Sequence, residues 1–259
     1  SALSNVIEIT VDQVVVPGVI NNPQTICSGQ DPAILGETTP PSGGNGSTYT
    51  FQWQESATGG GVGFAAAPGG NSGATYDPPV LTATRFYRRR VTSGVCPPTF
   101  SNEIQITVNA LPTVNISGGG SICSGTPAPD VVFTFTGAGP WDMVYSINGV
   151  NQPVVNNTAS PFSISNPVAG TYAVVSITDN NTPSCVVTSP SPNITGGAVV
   201  TIQATPPPSV QSFTATPAVC DDGGATNPPD AILDLLPDAS FGYDISYTIN
   251  GVPFTELNK

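Results

Sequence analysis

Self-similarity at a fixed period restricts the fold of this chain more than any other feature. Ile26-Cys27-Ser28-Gly29 returns as Ile122-Cys123-Ser124-Gly125 after 96 residues, and more loosely as Val219-Cys220-Asp221-Asp222 after a further 97. A second marker, Ser101-Asn102-Glu103-Ile104-Gln105-Ile106-Thr107-Val108, is matched 97 residues earlier by Ser4-Asn5-Val6-Ile7-Glu8-Ile9-Thr10-Val11. A third, Tyr145-Ser146-Ile147-Asn148-Gly149-Val150, returns as Tyr247-Thr248-Ile249-Asn250-Gly251-Val252. A period of this length means a whole small domain repeated, not a short solenoid unit.

The markers divide the chain into four pieces. Residues 1–16 are expected to be the terminal strand of a preceding repeat, 17–110 and 111–205 two full repeats, and 206–259 a partial one. The joints Asn109-Ala110-Leu111-Pro112 and Thr205-Pro206-Pro207-Pro208 are short and rich in proline, so neighbouring repeats are expected to stand in a semi-rigid row. The strand-like segment Ser4–Val11 is also a candidate for completing another subunit's sheet by strand addition.

Apolar residues alternate with polar ones through most of the chain, which is the period of a half-buried strand. In Tyr49-Thr50-Phe51-Gln52-Trp53-Gln54 the aromatics fall on one face, and Arg85–Val91 is the expected partner strand. Val131–Thr136, Asp142–Asn148 and Thr171–Ile177 read as further strands. Asn148-Gly149 and Asn250-Gly251 suit the positive φ angles of a type I′ hairpin. Only Asp230–Leu236 suggests a helical turn. The resulting expectation is an all-β chain of tandem immunoglobulin-like β-sandwich domains, since one such sandwich takes about 100 residues.

The five cysteines point to disulfides, because the chain has no histidine and no close cysteine pair for zinc. One bond inside each repeat is expected, Cys27 with Cys96 and Cys123 with Cys185, leaving Cys220 to a partner beyond Lys259. Each would close a loop of roughly 60 to 70 residues and stabilise its domain by about 4 kcal/mol on a chain-entropy account. Disulfides imply an oxidising compartment, hence a secreted or cell-surface protein whose targeting signal is expected outside this window. No run of eighteen apolar residues suggests membrane insertion in this segment.

Without histidine, no Ser-His-Asp or Cys-His nucleophile can be assembled, and the commonest general base at neutral pH is missing. Asp221, Asp222, Asp230, Asp234, Asp238 and Asp244 are carboxylates of the kind that cleave glycosides, but they crowd one incomplete repeat; the expectation is no enzyme. Acidic loops also hold calcium, and Asp221, Asp222 and Asp179 are the candidate ligands for a structural calcium ion. The formal charge of −12 repels phosphate backbones and excludes nucleic acid as a partner. Arg85-Phe86-Tyr87-Arg88-Arg89-Arg90 is the one basic cluster, but strand alternation divides its arginines between two faces, where they are expected to pair with acids and stack on aromatics. Asn-x-Ser/Thr triplets occur no more often than chance allows, whereas Ser/Thr-rich loops near proline are candidate sites for O-linked glycans.

Taken in order, Ile26-Cys27-Ser28-Gly29, Phe51-Gln52-Trp53-Gln54, Thr75-Tyr76-Asp77-Pro78-Pro79, Phe86–Val91 and Ser101–Val108 resemble the PKD-like and Ig-like tandem repeats of giant Bacteroidota cell-surface proteins. Gliding-motility adhesins and other cargo of the type IX secretion system are of this kind. The resemblance implies an extracellular stalk or filament backbone of an adhesin or fibre, with neighbouring repeats or copies of the same protein as partners. Two other functions compete with it: a module whose loops bind surface polysaccharide or other glycans directly, and an accessory module of a secreted enzyme.

Overall fold

The computed structural model describes residue 9, residues 11–45 and 48–203, and the strands 209–215, 231–236, 245–249 and 252–256. The chain falls into two compact units, Ser1–Ile202 and Gln203–Lys259. Among the described residues every regular element is a strand. No helix there is long and apolar enough to cross a membrane.

The first ten strands of the larger unit build one sandwich. They are β1 (Gln13–Val16), β2 (Val19–Asn21), β3 (Gln24–Cys27), β4 (Gly36–Thr39), β5 (Ser42–Gly44), β6 (Thr50–Ser56), β7 (Ala65–Ala66), β8 (Arg85–Thr92), β9 (Thr99–Phe100) and β10 (Ile104–Asn109). One sheet runs β3-β10-β8-β6-β7, with β9 on β8; facing it, β1 pairs β5 and β2 pairs β4. Strand β3 lies parallel to β10, Cys27 opposite Asn109, so the first stretch of chain pairs with one sheet and then crosses to the other. This exchange, with a buried tryptophan at the centre of β6, is the immunoglobulin arrangement. Gln13–Val16 thus belongs to this sandwich, whereas the markers place it at the end of a preceding repeat.

The second sandwich uses β11 (Thr113–Cys123), β12 (Val131–Thr136), β13 (Trp141–Ile147), β14 (Val150–Asn151), β15 (Val155–Thr158), β16 (Phe162–Ile164), β17 (Gly170–Thr178), β18 (Val186–Thr188), β19 (Ile194–Gly196) and β20 (Ala198–Gln203). Their path is β14-β13-β17-β20-β11-β12-β16, with β15 on β13, β18 on β17 and β19 on β11. Strand β11 serves both sheets: Thr113–Gly118 pairs β12, and the rest runs beside β20. The bend is made by Gly118 and Gly119, both at positive φ, where a Cβ would strike the carbonyl oxygens of Asp130 and Val199.

Alternation explains the cores. In β12, Val131, Phe133 and Phe135 are buried while Thr134 and Thr136 face solvent. In β17 the phase slips at a bulge beside Val175, so the buried residues are Tyr172, Val174 and Ile177. One core gathers Ile20, Leu35, Trp53, Tyr76, Tyr87 and Ile106; the other gathers Val114, Phe133, Trp141, Met143, Tyr172 and Val200. Trp53 stacks on Tyr76 at 5.7 Å, and Phe135 on Trp141 at 5.3 Å, contacts worth about 1 kcal/mol each beyond the area they bury.

In the smaller unit β21 (Ser209–Ala215) pairs β22 (Ala231–Leu236), and β23 (Ile245–Ile249) pairs β24 (Val252–Glu256). The helical turn expected over Asp230–Leu236 is instead strand β22, which pairs antiparallel with β21 from Ala231 opposite Ala215 to Leu236 opposite Ser209. Asn148 and Gly149 have φ of 50° and 79° and close the β13–β14 hairpin as expected.

Candidate functional site

Where the two sandwiches meet, Cys27 and Cys185 form a disulfide, with Cα atoms 5.6 Å apart and a sequence separation of 158. Both are buried, Cys27 as the last residue of β3 and Cys185 in the loop between β17 and β18. This corrects the expectation of one bond inside each repeat, since Cys96 and Cys123 are free thiols.

Strand geometry accounts for the difference. Cys27 is level with Asn109, three residues past the point where β10 faces Arg85, at the start of β8. Cys96 lies beyond the other end of β8, in a turn whose backbone N donates to Ser93 O, with its sulfur beside Gln13 O. The eight residues of β8 stand between them, roughly 25 Å at about 3.3 Å per residue, whereas bonded cysteines need Cα atoms within about 7 Å. The second sandwich repeats the argument. Cys123 lies two residues past Ser121, whose hydroxyl meets that of Thr201 near the start of β17, while Cys185 follows the end of β17. Each sandwich therefore carries one cysteine at its leading end and one at its trailing end.

The loop that presents Cys185 is built on Asp179. Cys185 N donates to Asp179 Oδ1 at 2.7 Å, Asn181 N to the same oxygen at 3.2 Å, and Asn181 Nδ2 to Oδ2 at 2.7 Å. Asp179 N in turn donates to Cys185 O at 3.0 Å. A carboxylate with this many donors is a loop organiser, and its oxygens point at the polypeptide. Of the other calcium candidates, Asp221 and Asp222 lie outside the described residues, as do Cys220 and Ser4–Glu8 and Thr10 of the strand-addition segment. Among the described residues no three His, Cys, Asp or Glu side chains cluster as metal ligands do. Across the joint, Asn109 Nδ2 donates to Pro183 O at 3.3 Å, and on its own side Asn109 O accepts from Ser28 N at 2.8 Å.

The basic cluster is absorbed by the first sandwich. Arg89 is fully buried: Nη1 pairs with Glu37 Oε2 at 2.6 Å and donates to Ala74 O at 2.7 Å, and the guanidinium lies over the Phe51 ring at 4.5 Å. Arg88, on the opposite face, sits between the rings of Phe64 and Phe100, each 4.1 Å away, and donates from Nε to Gln54 Oε1. Arg85 donates from Nη1 to Thr84 O. Neither Arg88 nor Arg89 presents its charge as an open anion site.

Three contributors go unread in the sequence. Glu37 supplies the counter-charge to Arg89. Glu103 accepts from Gly60 N at 2.8 Å and Gly61 N at 2.7 Å, in a loop where Gly59, Gly60 and Gly61 all have positive φ. Asn102 accepts from Ile20 N at 2.9 Å and donates to Ile20 O at 3.0 Å, so its amide stands in for a neighbouring strand. Ser101 Oγ accepts from Arg89 N at 2.9 Å, which gives the recurrent Ser-Asn marker a structural role.

A family model described as Domain of unknown function (DUF8696) matches residues 16–110. No curated protein sequence matches the chain. Among solved structures it is similar to the titin I-band fragment I67-I69, at 10% identity, covering 95% of this chain and 97% of that one with a TM-score of 0.45. It is similar also to a marsupial T cell receptor, at 12% identity over 92% of this chain and 91% of that one, TM-score 0.42. A third is the N-terminal four-Ig-domain fragment of Dscam1 isoform 6.9, at 15% identity and TM-score 0.38; the match covers 76% of this chain and 48% of that one, so the chain spans about half the fragment's length. The strand order and the buried tryptophan of β6 identify the chain as an all-β protein of immunoglobulin-like sandwiches.

Proposed function

We propose that this chain is a tension-bearing spacer, the stalk or filament backbone of an extracellular bacterial adhesin or fibre, and that it turns over no substrate. The observation that carries the reading is the position of the Cys27–Cys185 bond. A pull applied through the two ends of the larger unit enters along β1 to β3, crosses the cystine, and leaves along β18 to β20. The 158-residue span from Cys27 to Cys185, which holds most of both cores, lies outside that path. A disulfide confined to one sandwich would leave the joint to carry load through Asn109–Pro112 alone.

The resemblance to Bacteroidota surface repeats supports secretion, with the type IX system as the export route. Neighbouring repeats or further copies are then the partners, and O-linked glycans a modification of its Ser/Thr-rich loops. Pulling single molecules by their termini tests the reading. With the cystine closed, unfolding is expected to release a chain length shorter by about 550 Å than after thiol reduction, at about 3.5 Å per residue over 158 residues. Equal lengths under both conditions overturn it. Binding of the isolated, oxidised chain across a glycan array would favour the direct-adhesin function instead.

A further inference from the structure

We propose that Cys96 and Cys123 are two open halves of the same kind of joint: each bonds the cysteine at the facing end of another sandwich of this design. The partner is thus an immunoglobulin-like unit carrying the complementary thiol. The inference does not need the load-bearing role, since cystines can recur at every seam of a chain that bears no force.

Internal comparison carries the argument, because each free cysteine occupies the position of one that is bonded. Cys123 corresponds to Cys27. Both are the last residue of a strand in the first segment of a sandwich, β11 and β3, and both are followed by Ser-Gly with the glycine at positive φ, 88° at Gly125 and 85° at Gly29. The same turn closes behind each: Thr126 N donates to Cys123 O at 3.2 Å, and Gln30 N to Cys27 O at 3.1 Å. Cys96 corresponds to Cys185. Each follows the central strand, β8 or β17, and precedes a short strand that folds back on it, β9 or β18.

Burial separates the bonded pair from the free one. Cys27 and Cys185, bonded to each other at the seam, are 5% and 0% exposed, whereas Cys96 and Cys123 are only half-buried. Trailing-end Cys27 meets leading-end Cys185, so by the same rule trailing-end Cys123 takes a leading-end cysteine and leading-end Cys96 a trailing-end one. Cys96 and Cys123 themselves satisfy that rule when they belong to two different molecules.

The bond forms by two thiol–disulfide exchanges. A thiolate of one unit attacks a disulfide oxidant, either a small-molecule disulfide or an oxidoreductase, and releases one reduced thiol. The second unit's thiolate then attacks the mixed disulfide and releases the other. Two protein thiols become one cystine, and the oxidant takes up the two electrons and two protons.

Two sources of the partner thiol are possible, a second copy of this chain and a further sandwich in the same polypeptide, and two measurements separate them. In the first, the protein isolated from its own cells is alkylated and digested without reduction, and its disulfide-linked peptides are mapped. In the second, the 259-residue chain with Cys220→Ser is made as Cys96→Ser and as Cys123→Ser, and the two are mixed in a glutathione redox buffer. The mixture is expected to give a dimer linked through Cys123 of one variant and Cys96 of the other, absent when reductant is added. That result assigns a second copy. Linked peptides joining Cys96 or Cys123 to a further sandwich of the same polypeptide, with no dimer in the mixture, assign the in-chain source and equally support the proposal. Finding both thiols alkylated in the native protein while Cys27–Cys185 is closed, or finding either bonded inside its own sandwich, overturns it.

Discussion

Glu37 Oε2 stands 2.6 Å from Arg89 Nη1 and ties β4 in one sheet of the first sandwich to β8 in the other. Antibody domains place an inter-sheet disulfide against the tryptophan of the equivalent central strand. Here the guanidinium lies 5.8 Å from the Trp53 ring, so an ion pair does inside the sandwich what a cystine does elsewhere. The second sandwich needs neither, because its centre is filled by Phe133, Met143, Tyr172 and Ile177. With neither interior closed by a cystine, the cysteines are left for the ends.

Removing one partner of that pair leaves a charge buried in the core. Glu37→Ala is expected to cost about 2–4 kcal/mol, at or below the range for fully buried pairs because the Glu37 side chain is 26% exposed. Denaturant titration followed by Trp53 fluorescence in a Trp141→Phe background reads the first sandwich alone. The double variant Glu37→Leu with Arg89→Met is expected to recover most of the loss, whereas Arg89→Met alone, which leaves Glu37 without its partner, is expected to be less stable than the double variant.

Alkaline pH should loosen both sandwiches. Burial pushes the Tyr76 hydroxyl up to about 12 from the usual 10.0, with Glu55 and Asp77 adding to the rise. Burial raises Tyr87 and Tyr172 as well. A raised folded-state value means that the neutral form stabilises the fold, fully below pH 10 and progressively less as pH climbs toward 12. Tyrosinate absorbance is expected to lag behind that of the unfolded chain through this window, and Tyr76→Phe is expected to shrink the lag. Coincident titration of folded and unfolded chains would contradict this.

Asp179 should govern how readily the cystine is reduced. Asp179→Ala removes the acceptor of Cys185 N and of both Asn181 donors, a loss of about 2–3 kcal/mol of local order. Thiol trapping at graded dithiothreitol is expected to show Cys27–Cys185 opening under milder conditions in this variant, with Asp179→Asn intermediate. Adding calcium is expected to leave both curves where they are.

The glycine loop that holds Glu103 offers a separate test. Gly60→Ala meets no neighbouring atom but places a side chain at φ +63°, which costs about 1–2 kcal/mol. Glu103→Ala deprives Gly60 N and Gly61 N of their acceptor and is expected to cost about 1–2 kcal/mol, less than a buried carboxylate would because water replaces it. Thermal melts of the single and double variants, compared as a cycle, should show the two effects overlapping.

Strands were the most legible part of the chain. The alternation in Val131–Thr136 and the aromatics of Tyr49–Gln54 identify β12 and β6, and the pairing of Trp53 with Arg89 follows from the partner expected for that strand. Arg89 reads as an inward arginine awaiting an acid, but Glu37 is 52 residues away and nothing local names it. The cysteine partners were illegible for a different reason. Sequence proximity favours the nearest cysteine, while the length of β8 keeps Cys27 and Cys96 at opposite ends of one sandwich. The clue lay in the repeat itself: Ile-Cys-Ser-Gly marks the same strand end twice, and two identical ends must each find a dissimilar one.

A covalent tie that spans 158 residues cannot close until the later residues have been made and arranged. Neither core includes a cystine of its own, so the bond fixes the joint and not the interior of either sandwich. A molecule in which the seam has not formed keeps Cys27 and Cys185 reduced beside Cys96 and Cys123, so the number of alkylatable thiols among these four tells a joined pair of sandwiches from an unjoined one.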